Sequence, residues 1–178
     1  YDDSKYDGTK TANFEATLTS ATTNDPANSG AESVSVSGDC TNVADGAGVD
    51  WTNPGNAFSQ NDSSATAFVD GTTTDRDQCV NYGFAIPSNA TIVGVILEAD
   101  ISASAANNGG VDDAKIMLVL GGTAQGDDKD RGTTDWPTSD TDAYVSWGSS
   151  SDTWGLSLNP TNVNAADFGS SIEATKAS

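Results

Sequence analysis

The residues with the clearest potential for chemistry are carboxylates grouped in two acidic stretches, residues 70–77 and 127–130. Calcium prefers several oxygen ligands within a short loop, so either stretch could hold this ion. Neither has the spacing or the terminal Glu of an EF-hand loop. Basic residues stand within or beside both stretches and could neutralise them instead. The pattern therefore allows a structural calcium ion, with candidate ligands Asp70, Asp75 and Asp77.

The familiar catalytic constellations are not expected in this chain. It contains no His, so Ser-His-Asp and Cys-His arrangements are impossible. Paired carboxylates can hydrolyse glycosides, but the four Glu residues occupy positions typical of solvated strands or loops. Glu98 lies on a predicted core strand, at a position typical of the edge of the solvent-exposed face. The sequence predicts a protein that is not an enzyme and has no cofactor beyond that structural calcium.

Two cysteines and two glycosylation patterns bear on the compartment of the protein. Without His, Cys40 and Cys79 cannot complete a four-ligand zinc site. In an extracellular protein they would form a disulfide, and otherwise they would be buried thiols. Asn61-Asp62-Ser63 and Asn89-Ala90-Thr91 match the N-glycosylation pattern, so Asn61 and Asn89 are candidate attachment sites.

The four Trp residues are candidates for binding carbohydrate, because aromatic side chains on a β-sandwich can stack on sugars. Trp154 lies in a strand pattern and is expected in the core, whereas Trp147 fits either environment. Trp51 and Trp136 stand beside turns that contain Pro. These two are the candidates for exposed glycan contacts, and the competing interpretation is that each anchors its loop.

The net charge of −19, from 26 acidic and 7 basic residues, restricts the partners. Binding to nucleic acid needs clustered Lys and Arg, and attraction to anionic membranes needs them as well. No apolar run approaches the 18 or so residues of a membrane span. We expect no nucleic-acid partner and no membrane insertion, and a hydrated acidic exterior that suits an extracellular setting.

Residues 82–101 carry the most apolar area per residue and predict the centre of the fold. Tyr82, Phe84 and Ile86 alternate with small residues, and after a bend that contains Pro87 the alternation resumes over residues 91–101. Further strands are predicted at 12–20, 33–37, 64–69, 114–120, 144–147, 154–158 and 168–172, with one helical turn at 160–166. This pattern predicts an all-β, two-sheet antiparallel sandwich of jelly-roll type, with a closed barrel as the alternative.

Several segments, taken in order, resemble one known kind of domain. They are WTNP at 51–54 with NA at 56–57, YGFAIPSNATIVG at 82–94, GG at 121–122, DTWGLSL at 152–158, PTNVN at 160–164 and DFG at 167–169. Together they resemble a β-sandwich domain of tailed-phage virion proteins and related extracellular proteins. The resemblance covers residues 51–172 and implies a module used for structure or attachment. It supplies no catalytic residue.

The chain differs from that pattern at both ends. Such domains continue into one further apolar strand, where residues 174–178 here read ATKAS. Ahead of the resembling region, Phe14, Ala16 and Leu18 alternate with polar residues and predict an extra strand. We therefore divide the chain into an N-terminal arm and strand, residues 1–20, and a sandwich, residues 21–178. An incomplete sandwich exposes a sheet edge, which this strand could fill in its own chain or in a neighbouring copy.

The sequence predicts a non-enzymatic structural subunit of an extracellular assembly, either on a virion surface or in a secreted or cell-surface filament. Its main partners would be copies of itself, joined by exchange of the N-terminal strand. A carbohydrate-binding module for attachment to surface glycans is the alternative.

Overall fold

The computed structural model describes residues 11–22, 30–35, 39–58, 63–69, 71–103, 110–138 and 143–177. In strands β1 and β2 the description concerns the backbone. The strands are β1 (Thr11–Thr22), β2 (Gly30–Ser35), β3 (Asp39–Val43), β4 (Ala65–Phe68), β5 (Arg76–Val80), β6 (Ile92–Ala103), β7 (Val111–Leu120), β8 (Thr123–Gln125), β9 (Ala143–Ser149) and β10 (Gly169–Lys176). A 3-10 helix spans Pro54–Phe58 and a short helix, α1, spans Pro160–Val163.

The strands form two antiparallel sheets that pack against each other. Sheet A has the order β2-β1-β6-β9, and β4 also pairs with β1. Sheet B has the order β3-β5-β10-β7-β8. Because the chain passes repeatedly from one sheet to the other, each sheet contains strands from distant parts of the sequence. The prediction of an all-β antiparallel sandwich is confirmed.

The hydrophobic core lies between the sheets, and β6 is its main contributor from sheet A. Val95, Leu97, Ala99 and Ile101 alternate along β6 and are fully buried, as expected for residues two apart on one face of a strand. From sheet B, fully buried side chains in the same cluster include those of Ile116, Leu118 and Ile172. The period-two pattern after Pro87 therefore predicted the inward face of β6 correctly.

The apolar run before Pro87 is buried as predicted but does not form a strand. Tyr82, Phe84 and Ile86 are each less than 5% exposed, yet this segment pairs with no strand. The amide of Asn164 takes the place of a neighbouring strand, because its Oδ1 accepts from the Ile86 N–H at 2.9 Å and its Nδ2 donates to the Ile86 carbonyl at 2.8 Å. The alternation of apolar residues predicted which side chains face inward. It did not predict which groups form hydrogen bonds with the backbone of this segment.

Other segments also differ from the prediction. The strand expected at 154–158 is absent, because Trp154 and Gly155 adopt positive φ angles of 58° and 68° that end extended structure. In contrast, β3 and β5 form where no strand was predicted. Their sequences, DCTNV and RDQCV, contain too few apolar residues to show a period of two.

Gly169 permits the closest approach of two strands in sheet B. It is the first residue of β10 and pairs with Val80 of β5 and Val119 of β7. A Cβ atom at this position would collide with the carbonyl group of Cys79. Because the obstacle is backbone, a side-chain rotation cannot relieve the collision, and the two strands would have to move apart.

We predict that Gly169→Ala lowers the free energy of unfolding by about 1 to 3 kcal/mol through this overpacking. Gly55→Ala is the matched control, since a Cβ there would meet its nearest atom, on Phe58, at 3.8 Å. The control should change stability by less than about 0.5 kcal/mol. Urea unfolding of the three proteins measures both values, and equal effects of the two substitutions would contradict the close approach of β5 and β10.

Candidate functional site

The two cysteines join the strands at one edge of sheet B. Cys40 of β3 lies directly opposite Cys79 of β5, and the two form a disulfide whose residues are 5% and 0% exposed. The predicted disulfide is confirmed. With a sequence separation of 39 residues, loop closure in the unfolded chain corresponds to about 4 kcal/mol of stabilisation. The bond also holds the edge strand β3 in place.

Asp77 lies beside this disulfide in a state that is unusual for a carboxyl group. It precedes Cys79 by two residues on β5, so both side chains point to the core face. Asp77 is fully buried, and neither of its side-chain oxygens has a hydrogen-bond partner. Burial raises the pKa of Asp77 well above its ordinary value, because an ionised carboxylate is poorly solvated there.

Of the candidate calcium ligands, Asp75 and Asp77 are not brought together in the structure. Asp70 lies outside the described residues. Asp75 accepts hydrogen bonds from the Asp45 N–H and from Asn42 Nδ2, both at 3.1 Å, and it thereby ties the loop after β3 to the start of β5. The described ligand atoms that cluster with Asp77 belong to Cys40 and Cys79, not to Asp75. Calcium binding here stays a prediction.

The second acidic stretch is held by internal contacts. Asp128 Oδ1 accepts from the N–H groups of Ile116 at 2.9 Å and Asp130 at 3.1 Å. Lys129 Nζ lies 3.0 Å from Asp152 and 3.4 Å from Asp127. The basic neighbour thus offsets acidic charge, which is the alternative that the sequence left open for this stretch.

The candidate glycan contacts at Trp51 and Trp136 are contradicted, and the alternative interpretation, that each residue anchors its loop, is confirmed. They are 3% and 2% exposed, and each indole N–H is used internally. Trp51 Nε1 donates to the Asp75 carbonyl at 2.8 Å and Trp136 Nε1 to Asp113 at 2.7 Å. A buried indole needs an acceptor for its N–H, and each of these rings has one inside the protein. Both rings therefore anchor their loops. Neither offers a ring face to a sugar.

Asp113 is the residue on which most buried donors converge, and the sequence analysis did not single it out. Its side chain is fully buried and lies on β7 of sheet B. It accepts from Trp136 Nε1 at 2.7 Å, from Trp147 Nε1 at 2.9 Å, and from Arg131 Nε, Nη2 and N at 2.7, 3.0 and 3.1 Å. Trp147 belongs to β9 of sheet A, so this carboxylate links the two sheets.

The signal that could have identified Asp113 is the excess of indole donors. Two Trp residues and one Arg in residues 131–147 need buried acceptors, and few acidic residues stand in apolar strand patterns. The Arg131 guanidinium also lies 5.2 Å from the Trp147 ring centroid, a cation–π distance. We call Asp113, Arg131, Trp136 and Trp147 the Asp113 cluster.

A second charged cluster lies across three neighbouring strands of sheet B. Lys115 Nζ is 3.1 Å from Asp45 and 3.4 Å from Glu173, and Arg76 is 3.6 Å from each of these carboxylates. Burial raises the pKa of Glu173 to about 7, with Asp45 contributing in the same direction and Lys115 opposing it. A hydrogen bond from Lys115 is the largest of the causes that lower the pKa of Asp45.

The remaining predicted sites are less constrained. Asn89 is exposed in a turn, where a glycan would be accessible, and Asn61 lies outside the described residues.

Phe14, Ala16 and Leu18 lie on β1, opposite Ile101, Ala99 and Leu97 of β6. The exposed large hydrophobic residues among those described are Phe58, Phe68 and Tyr144.

Comparison with known proteins assigns no family. No protein-family model, curated protein or solved structure matches the chain. Within the described ranges, no helix has the length and apolar character needed to cross a membrane.

We predict that Asp113→Asn lowers the free energy of unfolding by about 3 kcal/mol, because it removes the buried charge that pairs with Arg131. Asp127→Asn is the control, since the Asp127 side chain is 61% exposed and an exposed ion pair contributes less than about 1 kcal/mol. Chemical denaturation followed by Trp fluorescence measures both. Similar losses in the two variants would show that the Asp113 cluster does not hold the sheets.

We also predict that Glu173 makes the protein less stable as pH rises from about 4.5 towards 7. The folded state, with its raised pKa, retains a proton that the unfolded chain has lost, so unfolding becomes easier as pH increases in this window. The slope from this one group is at most about 1.4 kcal/mol per pH unit. Glu173→Gln cannot titrate and should show a flatter dependence. Urea unfolding of both proteins through this range measures the difference, and parallel curves would refute it.

Proposed function

We propose that this chain is a non-enzymatic structural subunit of an extracellular assembly, and that its copies associate by exchanging strand β1. The observation that carries the proposal is the position of β1. It is the first described strand, yet it lies inside sheet A, with β6 on one side and β2 and β4 on the other. It pairs with β6 from Ala12 to Thr22.

A strand that is held in its sheet by backbone pairing is well suited to exchange between copies. Backbone pairing depends little on which chain supplies the strand, so β1 of one copy can make the same ladder with β6 of another. Seven residues connect β1 to β2, and a connection of that length can extend to about 25 Å. Exchange of β1 would leave the pairing inside sheet B in place, because β1 belongs to sheet A.

The charge and the disulfide support the rest of the proposal. With a net charge of −19, copies repel one another at a distance, so their association must come from directional short-range pairing. The buried Cys40–Cys79 disulfide suits an oxidising, extracellular compartment. The resemblance to virion-protein sandwiches is the ground for proposing a virion surface, and a secreted or cell-surface filament fits the same contacts.

Cross-linking between two variants tests the exchange directly. Ala16 of β1 pairs with Ala99 of β6, so a chain carrying Ala16→Cys and a chain carrying Ala99→Cys should form a disulfide with each other when refolded together. This bond places β1 of one copy in sheet A of the other. We expect cross-linked species on non-reducing gels and polymers of the wild-type chain in light scattering.

The register supplies the matched control. Ala12 pairs with Ala103, so Ala12→Cys lies about 13 Å out of register with Ala99→Cys and should not cross-link. A chain that lacks residues 1–20 should not polymerise. If the in-register pair gives no bond between chains and the wild type remains a folded monomer, strand exchange is wrong.

A further inference from the structure

Asp77 is the one fully buried acidic residue of the described chain whose two carboxyl oxygens both lack a hydrogen-bond partner. Native proteins rarely leave a buried polar group in this condition, and such a group often binds an ion or takes part in redox chemistry. Cys40, Asp77 and Cys79 each offer a ligand atom, and these three atoms lie within 4.8 Å of one another. The orphaned carboxyl group therefore stands against the disulfide.

We infer that Cys40, Cys79 and Asp77 form a binding site for a zinc-like divalent cation when the disulfide is reduced. Zinc bonds of about 2.3 Å to sulfur and about 2.0 Å to oxygen place tetrahedral ligand atoms about 3.5 to 3.8 Å apart. The three ligand atoms of the cluster can reach these separations after the released thiols rotate. Two thiolates with one carboxylate make a donor set that suits zinc better than calcium or magnesium.

The charges explain why a cation would enter this part of the core. Two thiolates and one carboxylate cannot be buried together without a counter-charge, and a divalent ion offsets two of their three negative charges. No further carboxylate or thiol from the described residues joins the group. The fourth position is therefore left to water or to a thiol of the reductant. In the metal-bound form Asp77 would have the partner that it lacks beside the disulfide.

The chemistry balances with a dithiol as the reductant. Two electrons and two protons pass from the dithiol to the Cys40–Cys79 bond, which gives two thiols and the cyclic disulfide of the reductant. The cation then displaces the two thiol protons, and also the proton of Asp77 where that is present, as the metal–ligand bonds form. Access is through β3, the last strand of sheet B, which pairs with β5 alone.

The test uses the full chain, reduced in denaturant and refolded without oxygen in the presence of Co²⁺. Tetrahedral cobalt–thiolate sites have a charge-transfer absorption that carboxylate sites lack, so this band reports the two cysteines. We expect one Co²⁺ per reduced chain, displacement by Zn²⁺, and no such band in the oxidised chain. Native mass spectrometry measures the stoichiometry independently.

Two substitutions close to the disulfide separate a site from adventitious binding. Asp77→Asn keeps both thiols and should weaken Zn²⁺ binding at least about tenfold. Asp39→Asn changes an exposed carboxylate next to Cys40 on β3, outside the cluster, and should leave the affinity unchanged. Raised melting temperature of the reduced wild type with Zn²⁺ is a second readout. Absence of the cobalt band, equal binding by the oxidised chain, or an unchanged affinity in Asp77→Asn would each overturn the inference.

Discussion

The carboxylate of Asp113 is the interaction on which the arrangement of the two sheets depends most directly. It is buried on β7, where it accepts a hydrogen bond from the indole N–H of Trp147 on β9. It also accepts from the indole of Trp136 and the guanidinium of Arg131, which lie in the segment between β8 and β9. An ionised group can remain in the core only because five donor groups replace its water. Apolar packing alone would hold the sheets together but would not specify how they meet at this end of the sandwich.

The other buried carboxyl groups show how the same acidic composition is accommodated by different means. Asp75 accepts backbone and amide donors, Glu173 combines two cations with a raised pKa, and Asp77 has no hydrogen-bond partner. Of these three, only Asp77 has both carboxyl oxygens without a hydrogen-bond partner. The inferred metal site therefore lies beside the disulfide rather than at the more acidic surface clusters.

The proposed assembly and the fold share one physical basis, the backbone pairing of β1. A strand held by a ladder in the interior of a sheet contributes much to its own domain and is equally acceptable to another copy. Sheet B is stabilised separately by the disulfide between β3 and β5. In the proposed exchange, β1 would leave sheet A while the strands of sheet B remain paired.

The amino-acid pattern was sufficient for the all-β class and the inward face of β6, since these depend on alternation and composition. It offered the Cys40–Cys79 disulfide and the anchoring of loops by Trp51 and Trp136 only as alternatives, and the structure decided both. It failed for β3 and β5, whose polar sequences hide their period. The Asp113 cluster and the group around Asp77 became visible only in three dimensions. Alternation reveals which side chains face inward, but contacts between residues 23 to 39 positions apart depend on which strands become neighbours, and only the packed sheets decide that.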